Sequence, residues 1–172
     1  TTLLKILAGI IEIQDQKIVI DLKHKKGFIF QLVEQNLIPW KTALENIILP
    51  KNGNEVELKQ KAILLLKELN LIEVLNKYPN QLSGGQKQLI SIIRWMVNPT
   101  DILFIDEGWS MLDVIQKERI HKLIRKINTD NNTTIILVSH NIEDISLLCN
   151  TCYMLSRKPS NIVAELNLTN DF

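Results

Sequence analysis

The sequence predicts an α/β fold, a mostly parallel sheet flanked by helices with a small helical subdomain inserted into it. Three observations predict it. Continuous apolar runs at residues 27–33, 102–105 and 133–139 read as strands of a sheet covered on both faces. Amphipathic segments at helical spacing lie between them. Gln31, Asp106, Glu107 and His140 all fall at the ends of such runs, and ligands of open α/β sheets bind at strand C-termini.

In chain order, residues 1–8 carry apolar positions at helical spacing, and Gly9 suits the C′ position that ends a helix. Residues 17–22 read as a short strand, His24-Lys25-Lys26-Gly27 as a basic solvated turn, and 27–33 as a buried strand ending near Gln31. Pro39-Trp40 then sits in an exposed-looking segment. Residues 58–69 form an amphipathic helix with Ala62, Leu65, Leu66 and Leu69 on one face. A further helical turn or two follows and stops at Pro79. Ser83 can N-cap the helix after it. After Pro99-Thr100 the sheet resumes, and residues 115–127 make another helix, with His121 expected on its surface. Asp130-Asn131-Asn132 reads as a turn. Residues 133–139 are again a buried strand, and residues 153–162 read as strand, turn, strand.

Length and charge narrow the classes. The 172 residues suffice for one domain with a sizeable core, and 45% are apolar. A net charge of +1 gives no electrostatic case for nucleic acid or an anionic membrane surface. No apolar run approaches the roughly 18 residues of a membrane helix. Cys149 and Cys152 form a lone Cys-x-x-Cys, expected as two reduced, buried or half-buried thiols, because a zinc site would want a second ligand pair.

The chemistry centres on Leu82-Ser83-Gly84-Gly85-Gln86. Alone, it is an ordinary turn and helix start. It also offers two glycines without Cβ atoms, a hydroxyl and the free N–H groups of a helix N-terminus, which together suit a phosphate. Adjacent carboxylates on a regular strand face opposite sides. Asp106 and Glu107 can therefore serve one site only if the strand ends there.

These residues resemble the ATP-binding cassette (ABC) ATPases. Leu82 to Gln86 looks like that family's signature motif, and Ile102-Leu103-Phe104-Ile105-Asp106-Glu107 like its Walker B strand and catalytic glutamate. Ser110-Met111-Leu112-Asp113 is similar to the D-loop, the strand ending Ser139-His140 to the switch, and Phe28-Ile29-Phe30-Gln31 to the Q-loop strand. The resemblance implies a P-loop NTPase (RecA-like) core at 1–31 and 98–172, with the helical subdomain at 32–97. It further implies ATP and Mg²⁺. Glu107, His140 and Gln31 would be catalytic. Thr1, Thr2, Ser83, Gly84, Gly85, Gln86 and Asp113 would contact nucleotide, and Thr1, Gln31 and Asp106 the metal. The signature residues would meet the γ-phosphate of ATP held by a second subunit, so a head-to-tail homodimer is expected.

Pro39-Trp40 followed by Thr42-x-x-Glu45-Asn46, and Leu155-Ser156-x-x-Pro159-x-x-Ile162, resemble the nitrate, sulfonate and taurine importer branch. The implied protein lies on the cytoplasmic face of the membrane as a peripheral subunit. It would dock transmembrane permease subunits near residues 37–47 and serve a substrate-binding protein indirectly. Only about fifty residues separate Gln31 from Ser83, which leaves no room for the long coiled coil of the DNA-repair relatives.

The sequence departs from the family in several places. It holds no Gly-x-x-x-x-Gly-Lys-[Ser/Thr]. It opens on Thr1 like the helix after that loop, so an N-terminally incomplete chain lacking part of the sheet is expected, neither stable nor a tight ATP binder by itself. Gly108-Trp109, Leu89 and Asn141 replace commoner residues. Two alternatives stay open: an inactive remnant, and a soluble non-transport ABC ATPase. An intact upstream loop would remove the first, and a neighbouring permease gene would disfavour the second.

Overall fold

The computed structural model describes residues 1–12, 23–49, 53–107, 109, 112–157 and 160–168. The strand expected at 17–22, and Gly108, Ser110 and Met111, lie outside the described residues. The chain divides into two compact units, Thr1–Val138 and Ser139–Phe172, each described by itself.

Among the described residues, the first unit holds a three-stranded parallel sheet of β1 (Lys26–Ile29), β2 (Ile102–Asp106) and β3 (Thr134–Val138), with β2 in the middle. Lys26 pairs with Ile102 and Ile29 with Ile105, while Ile102 pairs with Thr134 and Asp106 with Val138. Leu103, Phe104 and Ile105 are buried, as continuous apolar patterning requires. Phe28 stacks on Phe104 with ring centroids 6.2 Å apart.

Helix α1 (Thr2–Leu7) opens the chain, with Gly9 at φ 79° in the C′ position expected of it. Three helices lie between β1 and β2: α2 (Ala43–Ile47), α3 (Glu55–Glu68) and α4 (Gly84–Val97). A capping box of Thr42 and Glu45 starts α2, and Asn54 caps α3 by accepting from the Val56 N–H. Ala62, Leu65 and Leu66 form the buried face of α3. Helix α4 buries residues 88–93 and 95–97 and lays Trp95 over β1. Gly27 permits that approach, since a Cβ there would meet Leu103 and the Trp95 ring at 3.0 Å. Helix α5 (Val114–Asn131) joins β2 to β3.

Three expectations are corrected. The first strand stops at Ile29 rather than Val33. The Asn36 side chain takes both backbone groups of Phe30, accepting from its N–H at 2.7 Å and donating to its carbonyl at 2.9 Å. Val33–Asn36 is consequently a 3-10 turn. The strand expected at 133–139 is half-buried rather than buried, and only Thr133 before it is fully enclosed, donating to the Thr100 carbonyl at 2.6 Å. The turn expected at 130–132 shrinks to Asn132 at φ 52°, because α5 continues through Asn131. Asparagine tolerates that left-handed cap.

The second unit contains α6 (Ile142–Leu148) and the antiparallel pair β4 (Thr151–Leu155) and β5 (Ile162–Asn167), the strand, turn, strand foreseen. Asn141 caps α6 by accepting from the Glu143 N–H at 2.8 Å. Ser139 donates to Asp144 at 3.2 Å. Cys149 and Cys152 are half-buried thiols outside any disulfide. Among the described residues, no helix is long and apolar enough to cross a membrane.

Candidate functional site

Strand β2 delivers two carboxylates in succession, and the backbone separates their roles. Asp106 is its last residue and is buried, whereas Glu107 is half-buried and turns to φ 40°. A left-handed conformation is uncommon for a residue that is not glycine. It ends the strand where the sequence required an end. The Glu107 N–H still donates to the Val138 carbonyl at 3.0 Å, which fastens the turn to β3.

Each carboxylate has its own partner. Thr1 donates from Oγ1 to Asp106 Oδ1 at 2.9 Å, and makes no side-chain cap to its own helix. Gln31, two residues beyond β1, donates from Nε2 to Glu107 Oε2 at 3.1 Å. The parallel register places the ends of β1 and β2 side by side, and the Asn36 clasp on Phe30 directs the chain out of the sheet at Gln31.

The donor set fits Mg²⁺. A hydroxyl, a carboxylate and an amide oxygen are hard ligands, and Mg²⁺ takes one or two carboxylates and completes its shell with water and phosphate. Among the described residues, no group of three or more histidine, cysteine or acidic side chains could hold a metal by itself.

The signature turn is built locally. Ser83 accepts the Gln86 N–H at 3.2 Å, and Gln86 Oε1 accepts the Ser83 N–H at 3.0 Å, a complete capping box. The Gln86 side chain is thus occupied in starting α4. A Cβ on Gly84 would meet open space, whereas one on Gly85 would collide with the Gln116 carboxamide of α5. A side chain could thus be added at Gly84 without a clash, whereas at Gly85 it would have to displace Gln116. Asp113 accepts the Gln116 N–H at 2.8 Å as the N-cap of α5, so Gln116 ties the signature turn to that cap. Thr2 is exposed in the first turn of α1, and His140 is exposed in the second unit.

His121 is the residue the sequence misplaces. Expected on the surface, it is buried, edge-on to the buried Trp109 with centroids 6.1 Å apart. Trp109 widens the covered stripe of α5 by about one position. Sequence reasoning also passed over Asn36, which acts on Phe30 six positions earlier, and Arg94 and Gln116, whose roles depend on elements far along the chain.

The ABC transporter family model matches residues 1–110. The chain belongs to the ABC transporter family. Among relatives in that family, the methionine import ATP-binding protein MetN 1 of Oenococcus oeni (strain ATCC BAA-331 / PSU-1) is 38% identical over 162 residues, covering 92% of this chain and 45% of that protein. The aliphatic sulfonates import ATP-binding protein SsuB of Bacillus subtilis (strain 168) is 33% identical over 168 residues, covering 94% and 65%. The chain thus spans between about half and two thirds of the length of these ABC relatives. A dimeric, post-hydrolysis structure of the ATP-binding cassette MJ0796, bound to ADP and Pi, matches with a TM-score of 0.77 and 29% identity over 98% of this chain and 80% of that one. That likeness also makes the fold the P-loop NTPase fold of ABC cassettes.

Proposed function

We propose that this chain carries the ATP-binding and ATP-hydrolysing site of an importer for a small anion, such as a sulfonate, nitrate or taurine. The observation that carries the reading is the pair of contacts at the sheet's C-terminal edge, Thr1 to Asp106 and Gln31 to Glu107. Phosphoryl transfer needs positioning and charge neutralisation more than covalent chemistry. Glu107, kept at φ 40° with one oxygen on Gln31, is placed to accept a proton from an attacking water or to orient it. Asp106 and the Thr1 hydroxyl would hold Mg²⁺ with the Gln31 amide oxygen, and the bound ion would neutralise charge on the phosphates. His140 would contact the γ-phosphate.

Ser83 and the open backbone at Gly84 would bind the γ-phosphate of ATP on a second copy, in a head-to-tail dimer. The fixed charges of the α4 N-terminus favour an anion there. Gly85 would join Ser83 and Gly84 at that phosphate, Gln86, Thr2 and Asp113 would also contact nucleotide, and Asp113 would help couple the two sites. The core would comprise 1–31 and 98–172 and the helical subdomain 32–97. Trp40, 76% exposed beside half-buried Ile38, supports a permease docking surface over residues 37–47 on the cytoplasmic face of a membrane. The import ATP-binding relatives support the transport role and the sulfonate class.

The test is ATP hydrolysis by the full-length protein with its permease, compared with Glu107→Gln. Loss of a general base should lower kcat by about 10²- to 10⁴-fold while ATP still binds. Equal rates in the two proteins would remove Glu107 from the mechanism. An inactive parent that also fails to bind ATP would leave the remnant reading.

A further inference from the structure

The exposed Trp40 turn and the helix bearing Ser83 are joined by a buried side chain and a half-buried one. Asn46, fully buried in α2, holds the turn from inside. Its Oδ1 accepts the Ile38 N–H at 2.7 Å, and its Nδ2 faces the carbonyls of Ile38, Lys41 and Thr42 at 3.1, 3.0 and 3.0 Å. Arg94, on α4, grips Asn46 in turn. Its Nε donates to the Asn46 carbonyl at 2.8 Å and its Nη2 to Asn46 Oδ1 at 3.2 Å. One turn further along α4, Asn98 donates to the Ile47 carbonyl at 2.9 Å. The last carbonyls of a helix have no partner within it. Here the Asn46 and Ile47 carbonyls are met by Arg94 and by Asn98, the C-cap of α4.

Arg94 is a costly residue for a merely structural fastening. Burial lowers its pKa to about 10, which leaves it charged at neutral pH. Among the described residues, no carboxylate forms an ion pair with it. A charge drawn partly out of water and held by dipoles alone carries a desolvation cost, and well-packed apolar residues often replace such charges without loss of stability. Its forked, planar donor group does what an apolar residue cannot, fixing carbonyl and amide oxygens of one asparagine in a single orientation. From Gly84 to Arg94, α4 rises about 15 Å, and most of that stretch is buried. A displacement at the signature end therefore reaches Arg94 through packed helix.

We propose that Arg94 is a positioning residue that locks the Trp40 turn to the signature helix, so that nucleotide meeting Ser83 and Gly84 is felt at Trp40. The inference rests on the reading that ATP engages that turn, and it adds the side chains that carry the signal. It gives Trp40 a second use as a natural reporter, because Trp95 and Trp109 are buried.

The experiment is acrylamide quenching of tryptophan fluorescence in the full-length Glu107→Gln protein, with and without saturating MgATP. ATP affinity is measured separately with a fluorescent nucleotide analogue. MgATP should change the quenching of Trp40 in the parent. In the same background Arg94→Lys should bind ATP within about twofold of the parent, since one ammonium keeps the charge but not the fork, and should lose the change at Trp40. A Trp40 response retained in Arg94→Lys, or absent from a parent that binds ATP, overturns the inference. A parent that binds no ATP defeats the functional reading first and this one with it. If Arg94→Lys does not fold, Asn46→Asp decides the matter. It keeps acceptors for Arg94 and the Ile38 N–H, removes the donor to three carbonyls, and should also lose the response; a response retained there overturns the inference.

Discussion

Gln31 donates from Nε2 to Glu107 Oε2 across 3.1 Å, tying the segment after β1 to the residue after β2. The bond joins positions 76 residues apart in the chain. It holds one oxygen of the carboxylate and so fixes the direction in which Glu107 is presented at the strand end.

Removing the amide should therefore lower turnover more than binding. Gln31→Ala is expected to reduce kcat about 10- to 100-fold with a small change in KM for ATP, the scale on which a misplaced catalytic group loses rate. Gln31→Glu should be worse, since it sets a second carboxylate against Glu107 where the amide donated. Steady-state hydrolysis by the three proteins measures this ordering, and a Gln31→Glu enzyme faster than Gln31→Ala would refute it.

Gln31 reaches Glu107 because Asn36 ends the first strand. Asn36→Asp preserves the acceptor for the Phe30 N–H but turns the donor to the Phe30 carbonyl into a second acceptor. A buried carbonyl left facing a carboxylate oxygen should cost about 1–3 kcal/mol. The urea midpoint reports that cost. Loss of hydrolysis beyond the fraction unfolded would show that the clasp also directs Gln31.

Two glycines should behave oppositely on substitution. Gly27→Ala drives a methyl group against Leu103 and the Trp95 ring, both packed between β1 and α4, and overpacking of this kind costs about 1–3 kcal/mol. Gly84→Ala meets open space in the first turn of α4, where alanine is the better helix former by about 1 kcal/mol. Thermal unfolding should place Gly27→Ala below the parent and Gly84→Ala at or above it. A Gly84→Ala protein that is stable but weak in ATP binding would mark the open backbone there as a ligand contact.

The sheet and the strand-end carboxylates were legible because they follow from short-range rules. Apolar continuity gave β1 and β2, and the period of two required the chain to break at Glu107, which it does at φ 40°. The capping box of Ser83 and Gln86 could likewise be anticipated at its serine. What escaped depends on contacts across the fold. Asn36 stops a strand whose apolar pattern runs on through Leu32 and Val33, and nothing local distinguishes that asparagine from a solvated one. His121 lies just off the apolar stripe of α5 and is buried there, with the Trp109 ring against it. The Gln116 side chain that lies where a Cβ on Gly85 would stand comes from 31 positions later, and nothing near Gly85 announces it.

Cys149 provides a test of the second unit that is independent of nucleotide. Burial raises the pKa of its thiol, and the neighbouring Cys152 and Asp144 raise it further by disfavouring a negative charge. The thiolate is the nucleophile, so Cys149 in the folded protein should react with iodoacetamide more slowly at pH 8 than in urea. Its rate should keep rising at pH values where an ordinary thiol, titrating near about 8.5, has levelled off. The same shift bears on stability. A folded-state pKa above the unfolded one gives a contribution fully present below the unfolded value and lost as pH rises through the folded value. Alkaline destabilisation should accordingly be weaker in Cys149→Ser than in the parent above about pH 8.5. Residue-resolved alkylation by mass spectrometry separates Cys149 from Cys152, and equal folded and unfolded rates for Cys149 would show that its thiol is not held in that environment.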